Sequence, residues 1–295
     1  MKLLASLVSF LLLGCAATPE PIIDQATVTS KNASLRLKNS STSRTLRLLE
    51  NGEKIEVLER QDNWYRVRYG RDVQGWMDAS TIQTNETKEL IQKLATESQN
   101  LEPQNTAVLK QDSNLRLEPG RSSSIIRKLD SGTKVEVLER VTKPRPNSDS
   151  SYDMWMKVRP APREVGWILS QSLEFDIPAE ISQYSEDYTY TAVKTINRVQ
   201  DPLAGQINWF VIGERRGGDP NIDFQGVRVF TWNMKKHRYE TAYRTHNMRA
   251  VYPLEVGQEG PNPTFRIHEL ADDGTTKIPR DYVLYGVIVR EKKDS

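Results

Sequence analysis

Few residues of this 295-residue chain could carry out nucleophilic or metal chemistry. The chain has one cysteine, Cys15, and three histidines, His237, His246 and His268. A thiolate nucleophile therefore has one candidate, and a single cysteine allows neither an internal disulfide nor a multi-cysteine metal site. The segment HELAD at 268–272 begins like a zinc-binding HExxH helix but lacks the second histidine. We expect no metal, no cofactor and no catalytic residue.

The other sequence motifs of catalysis are also missing. His246 could act as a base, but no G-x-S-x-G or S-x-x-K motif accompanies it. The segment 213–218 lacks the Lys-Ser/Thr ending of a phosphate-binding loop. His237 lies in a Lys-Lys-His-Arg stretch typical of a hairpin turn, where a solvated side chain is expected. Carboxylate pairs are too common here to identify a glycosidase, so a hydrolase that uses carboxylates of the C-terminal third stays an alternative.

The N-terminal segment has the pattern of a secretory signal peptide. Lys2 supplies a positive charge, and residues 3–13 are too few to span a bilayer of about 30 Å. The sequence Leu12-Leu-Gly-Cys15 resembles the lipobox of bacterial lipoproteins. This resemblance implies a signal peptide over 1–14, a lipid on Cys15 and a membrane anchor there, followed by a tether over 15–25. An ordinary signal peptide with a chance cysteine is the alternative.

Composition narrows the class of protein further. Lys plus Arg (41) nearly cancels Asp plus Glu (39), so a dedicated nucleic-acid binder is not expected. A mean hydropathy of −0.62 excludes a polytopic membrane protein.

Ala16, rather than Asp, follows the lipobox cysteine. In the lipoprotein resemblance this implies a cell-envelope protein on the outer membrane, facing the periplasm, if the cell has two membranes.

An internal repeat covers the next part of the chain. Residues 33–37 (ASLRL) recur as 113–117 (SNLRL), and residues 49–60 recur as 129–140, both at an offset of 80. Residues 64–68 (WYRVR) recur as 155–159 (WMKVR) at an offset of 91, so the second copy carries an 11-residue insertion within 141–153. The insertion is rich in Pro, Ser and Asp, a composition that predicts a loop.

Each copy has the period-two alternation of short, half-buried strands, which predicts a small β-barrel. The order L-R, loop, L-x-x-G-x-x-V-x-V-L, W-x-x-V, G-W resembles the bacterial SH3 domain. It places SH3-like domains at 26–83 and 106–178. The resemblance implies binding of cell-wall (peptidoglycan) peptides, with aromatic faces and nearby arginines holding peptide stems and carboxylates. The candidate contacts, which could instead be ordinary barrel core, are Trp64, Tyr69, Trp76, Tyr152, Trp155 and Trp167.

The rest of the chain is predicted as a linker and a third domain. Residues 84–105 are expected to form a helical linker, with a helix over 86–97 capped by Asn85. Residues 179–295 resemble no family known to us and predict an antiparallel β-sandwich or open barrel. Its predicted strands are 188–199, 207–214, 226–233, 239–244, 264–270 and 282–290. The last is apolar on both faces and is predicted to be a central strand.

The sequence therefore predicts a mainly β chain: two small SH3-like β-barrels followed by an antiparallel β-domain. The favoured function is a lipid-anchored, non-enzymatic cell-envelope protein whose partner is peptidoglycan. One alternative is a scaffold that binds envelope proteins, and another is the carboxylate hydrolase.

Overall fold

The structure is a computed structural model, which describes residues 20–145, 151–217 and 219–292. Cys15 and the predicted signal peptide lie outside these residues, so the lipid anchor stays a prediction. Within the described ranges, no helix combines the length and hydropathy that crossing a bilayer requires. The chain divides into two compact units, with the boundary in the sequence between Glu86 and Thr87.

The first unit is built on sheet A, a seven-stranded antiparallel sheet in the order β3-β2-β6-β5-β4-β1-β7. Its strands are β1 (Asp24–Val28), β2 (Ala33–Arg36), β3 (Thr45–Leu49), β4 (Lys54–Gln61), β5 (Trp64–Tyr69), β6 (Val73–Asp78) and β7 (Ile82–Thr84). Alternation decides the faces of β5, because Tyr65 and Val67 enter the core while Arg66 lies on the outer side. The predicted helix follows as α1 (Asn85–Glu97).

The second copy repeats this topology strand for strand. Sheet B has the order β10-β9-β13-β12-β11-β8-β14, the same arrangement seven strands later. Its strands are β8 (Asn105–Leu109), β9 (Ser113–Arg116), β10 (Ile125–Leu129), β11 (Lys134–Pro144), β12 (Tyr152–Ala161), β13 (Glu164–Leu169) and β14 (Leu173–Phe175). The prediction of two repeated β-units is confirmed.

The insertion of the second copy, within 141–153, is predicted to be a loop, and this is wrong for residues 141–144 and 152–153, which lie in strands; residues 146–150 lie outside the described residues. Residues 141–144 pair with residues 152–155, so the insertion lengthens the β11–β12 hairpin. Thr142 of this extension donates its hydroxyl to the carbonyl of Pro220, 2.8 Å away. The extension thus contacts the C-terminal domain through Thr142, a role that loop composition does not reveal.

The C-terminal domain contains two four-stranded antiparallel meanders, preceded by the short helix α2 (Ala179–Ser182). Sheet C has the order β15-β16-β17-β18, with β15 (Thr189–Asp201), β16 (Gly205–Arg215), β17 (Gly226–Asn233) and β18 (Arg238–Arg244). Sheet D has the order β19-β20-β21-β22, with β19 (Ala250–Glu259), β20 (Asn262–Leu270), β21 (Lys277–Tyr285) and β22 (Ile288–Glu291).

Sheet C is covered on both faces. Val211, Val229 and other buried residues of this sheet share one core with Phe265 and Leu284 of sheet D. Residues of the opposite face, including Phe230, pack in a second cluster with Ile181 of α2. The arrangement confirms the predicted mainly β, antiparallel fold class.

Two strand predictions for this domain are wrong. Strand β19 is missing from the predicted set, and 282–290 is not one central strand. The chain reverses at Gly286, whose φ of 62° is easy only for glycine. Tyr285 pairs with Ile288 across this two-residue turn, which leaves β22 at the edge of sheet D.

A buried ion pair joins the second copy to the C-terminal domain. The guanidinium of Arg140 on β11 is 4% exposed and binds the carboxylate of Asp223. It also donates to the carbonyls of Ile222, at 2.5 Å, and Pro220, at 2.8 Å. Because the fork of one arginine satisfies several acceptors at once, these residues position the C-terminal domain on sheet B.

Candidate functional site

Charged and aromatic side chains of neighbouring strands form a row across the outer face of sheet A. Trp76 on β6 pairs in register with Arg36 of β2 on one side and Arg66 of β5 on the other. The Nε of Arg66 donates to Glu59 of β4 at 2.9 Å. Residues directly opposite on neighbouring strands project to the same face, so these four side chains, here called row 1, form one surface.

The second copy has the equivalent row on sheet B. Trp167 pairs with Arg116 on β9 and with Lys157 on β12. The Nζ of Lys157 is 2.5 Å from a carboxylate oxygen of Glu139 and 5.2 Å from the centre of the Trp167 ring. Row 2 (Arg116, Trp167, Lys157 and Glu139) therefore repeats the base–indole–base–acid order of row 1.

One contact fixes the loop beside each row. The Nη1 of Arg36 donates to the carbonyl of Ser43 at 2.8 Å, and that of Arg116 donates to the carbonyl of Ser123 at 2.7 Å. The arginines are at equivalent positions of the repeat, as are the serines. Each loop is thus held against the strand that carries the first cation of its row.

The two rows differ in their access to solvent. In the first copy Trp76 and Trp64 are both half-buried, with Trp64 on the same side of β5 as Arg66. In the second copy Trp155 is only 2% exposed and Trp167 only 6%. Both rings are therefore buried in this structure, and their contact with a ligand stays a prediction.

The chain itself covers part of the outer face in the second copy. Arg159 on β12 donates to the carbonyl of Ser98 at 2.7 Å and to that of Leu101 at 3.1 Å. These residues belong to the segment that follows α1. Burial also lowers the pKa of Arg116, the first cation of row 2.

In the first copy the lead-in segment supplies a carboxylate instead. Glu20 binds the guanidinium of Arg66 through both carboxylate oxygens, with Oε2 at 2.9 Å from Nη1. The hydrogen bond from Arg66 holds the pKa of Glu20 below its usual range. The central cation of row 1 is thus arranged to hold a carboxylate.

The two tyrosines of the predicted set lie elsewhere. Tyr69 is half-buried, donates its hydroxyl to Glu53 at 2.6 Å, and lies under the guanidinium of Arg47 at 4.7 Å. Tyr152 is exposed on the extended hairpin, opposite Pro144. Neither belongs to a row. Of the six predicted aromatic contacts, Trp64 and Trp76 share the outer face of sheet A, and Trp155 and Trp167 hold the equivalent positions on sheet B, where they are buried.

The cations of row 1 were missing from the predicted site. Arg36 and Arg66 recur as Arg116 and Lys157 in the two copies, so comparison of the repeats would have selected them. Sequence spacing alone does not show that β2, β5 and β6 are neighbours, which is what places these cations beside one indole.

Comparison with known families agrees with this topology. Residues 31–83 and 111–174 match the family model of the bacterial SH3 domain. The chain contains two bacterial SH3 domains. Row 1 lies in SH3 domain 1, which is carried by sheet A, and row 2 lies in SH3 domain 2, which is carried by sheet B.

Comparison with whole proteins adds little. No curated protein matches the chain. Among solved structures, NlpC1 from Trichomonas vaginalis is 11% identical over 79% of this chain and 92% of its own, with a TM-score of 0.21. NlpC2 from the same organism is 12% identical over 93% of each chain, with a TM-score of 0.20. Such low TM-scores support no conclusion about this chain.

The histidines lie in three separate settings of the C-terminal domain. The Nδ1 of His237 is 2.8 Å from Asp201, so this side chain has a protein partner in addition to solvent. His268 lies 3.1 Å from the carbonyl of Pro253, and His246 packs near the ring of Tyr188. Across the described ranges, no three His, Cys, Asp or Glu side chains are grouped to hold a metal ion.

Proposed function

We propose that this chain is a non-enzymatic, lipid-anchored protein of the cell envelope, and that row 1 of SH3 domain 1 binds peptides of peptidoglycan. The lipid on Cys15 would hold the protein at a membrane while the SH3 domain contacts the wall. SH3 domain 2 would act mainly as the support for the C-terminal domain, through Arg140 and the lengthened hairpin.

The observation that carries this proposal is that Arg66, a cation of row 1, already binds a carboxylate of the chain. Arg66 already holds the carboxylate of Glu20, beside the half-buried indole of Trp76. A peptide with a free carboxylate offers the same two oxygens to the guanidinium fork, and its stem can pack on the ring. Arg36, on the other side of Trp76, adds a second cation to the surface.

The non-enzymatic part of the proposal rests on the chemistry that the sequence makes available. A cysteine peptidase would require a thiolate, and Cys15 is the residue assigned to the lipid. We place the binding role in SH3 domain 1 because Trp155 and Trp167 of SH3 domain 2 are buried.

Calorimetric titration with a synthetic wall stem peptide tests the proposal. Residues 20–295 are used because every described strand lies within them. A stem peptide with a free C-terminal carboxylate should bind, and its C-terminal amide should bind more weakly, because it lacks the charge that Arg66 recognises. Arg66→Gln should abolish this difference, whereas Arg71→Gln, which alters an exposed arginine of the same domain, should preserve it.

Absence of peptide binding would argue against a cell-wall function. Equal, undetectable heats for both peptides would contradict the proposal and favour the scaffold alternative. A search for co-purifying envelope proteins would then be the next step.

A further inference from the structure

Two hairpin turns lie at the same end of sheet C. One joins β15 to β16 and carries Leu203, and the other joins β17 to β18 and carries Met234. Because the four strands are antiparallel neighbours in chain order, alternate turns of the meander lie at the same end of the sheet. Leu203 is 80% exposed and Met234 is 43% exposed. Together they place two apolar side chains in solvent at one end of the domain.

A single carboxylate ties these turns together. The Oδ1 of Asp201 accepts hydrogen bonds from the backbone amides of Leu203, at 2.8 Å, and Ala204, at 2.9 Å. Its Oδ2 accepts one from Trp232 Nε1 at 2.7 Å and lies 2.8 Å from His237 Nδ1. Burial acts to raise the pKa of Asp201, but these hydrogen bonds outweigh it and lower the pKa. The ionised carboxylate therefore fixes both turns.

The same end of sheet C carries a cluster of basic side chains. Lys235, Lys236 and Arg238 are exposed in the β17–β18 turn. Lys236 and Arg238 share one partner, Glu240, at 3.0 Å and 3.1 Å. With the buried carboxylate of Asp201 also counted, these turns carry three cations and two carboxylates. This end of the sheet therefore carries a net positive charge beside two exposed apolar side chains.

We propose that this end of sheet C, here called the tip surface (Leu203, Met234, Lys235, Lys236 and Arg238), binds the surface of an anionic lipid bilayer. Leu203 and Met234 enter the boundary between headgroups and acyl chains, and the cations contact lipid phosphates. A soluble polyanion would satisfy the cations but would leave the apolar side chains in water. The combination of apolar tips and adjacent cations is complementary to a lipid surface, and it is independent of the lipid on Cys15 and of row 1.

Vesicle co-sedimentation of residues 20–295 tests the proposal without any contribution from the N-terminal lipid. Vesicles of equal parts phosphatidylglycerol and phosphatidylcholine are compared with vesicles of phosphatidylcholine alone. The protein should pellet with the anionic vesicles, and added salt should weaken the binding by screening the cations. Lys235→Gln with Lys236→Gln should lower the affinity by about tenfold.

The apolar contribution needs its own variant and a matched control. Leu203→Ser with Met234→Ser should also lower the affinity for anionic vesicles by about tenfold. The control is Val287→Ser with Ile288→Ser, which removes two exposed apolar residues from the β21–β22 hairpin and should leave binding unchanged. Matching thermal midpoints establish that all variants are folded.

Three results would overturn the proposal. The first is no pelleting with anionic vesicles, and the second is equal pelleting with neutral ones. The third is salt-sensitive pelleting that is unchanged by Leu203→Ser with Met234→Ser, because a purely electrostatic surface would then suffice, as for an anionic wall polymer.

Discussion

Glu20 and Arg66 form a two-oxygen ion pair on β5, and Arg66 pairs in register with the half-buried Trp76 of β6. If row 1 binds carboxylate-bearing peptides, Glu20 competes with the ligand for the same guanidinium. We therefore predict that Glu20→Gln strengthens binding to wall peptides by about two- to fivefold, the range expected for loss of a partly exposed ion pair.

Calorimetry of this variant has a matched control in the same domain. Glu50→Gln alters an exposed carboxylate of SH3 domain 1 and should leave the affinity unchanged. Equal or weaker binding by Glu20→Gln would contradict competition at Arg66.

The Arg140–Asp223 pair predicts a large loss of stability on truncation. Arg140→Ala leaves the buried carboxylate of Asp223 without its partner, which should lower the free energy of unfolding by about 3–5 kcal/mol. Arg60→Ala alters the equivalent residue of SH3 domain 1, which is exposed, and should change stability by less than about 1 kcal/mol. Urea unfolding measures both. Equal effects of the two variants would mean that Arg140 does not hold the C-terminal domain in place.

Asp153 predicts a pH-dependent contribution to stability. This buried carboxylate accepts from Arg121 at 2.6 Å and from Arg145 at 3.1 Å, and the hydrogen bond from Arg121 is the main reason that its pKa is lowered. Because the folded-state pKa lies below the unfolded one, the stabilisation is present above the ordinary carboxylate range. It is lost as the pH falls through the folded-state pKa.

Asp153→Asn should accordingly reduce the free energy of unfolding by about 1–2 kcal/mol at neutral pH. The difference from the unsubstituted protein should shrink as the pH falls below about 4. Thermal unfolding across this range measures it, and a difference that stays constant with pH would exclude the ion pairs as its source.

We predict that the methyl group added by Gly166→Ala disturbs the packing beside row 2. An added Cβ would lie 2.6 Å from the Leu115 side chain and 2.9 Å from the Arg116 carbonyl. Gly166→Ala should therefore cost about 2 kcal/mol through overpacking. Gly120→Ala meets open space and should be tolerated. Comparable thermal midpoints for the two variants would show that the β9–β13 packing adjusts freely.

The repeat and the alternation of apolar residues were enough to predict two small β-barrels, and the order of the motifs added the resemblance to bacterial SH3 domains. Strand types depend on local patterns, and two copies of one pattern reinforce each other. The β21–β22 hairpin was missed because residues 282–290 are apolar at nearly every position. A continuous apolar run does not distinguish one central strand from a hairpin unless Gly286 is given the weight of a turn.

The candidate site was only partly predictable for a different reason. Trp64 and Trp155 are equivalent in the sequence, yet one is half-buried and the other buried. Their difference depends on tertiary packing, which no local pattern around either tryptophan reports.

The central claim is that row 1 binds the cell wall, and co-sedimentation with purified, protein-free peptidoglycan sacculi tests it most directly. Residues 20–295 are compared with Trp76→Ala and with Tyr285→Ala, which removes an exposed ring from the C-terminal domain. We predict saturable pelleting that Trp76→Ala weakens by about tenfold and Tyr285→Ala leaves unchanged. No pelleting at tens of micromolar protein, or equal pelleting of all three proteins, would contradict the account.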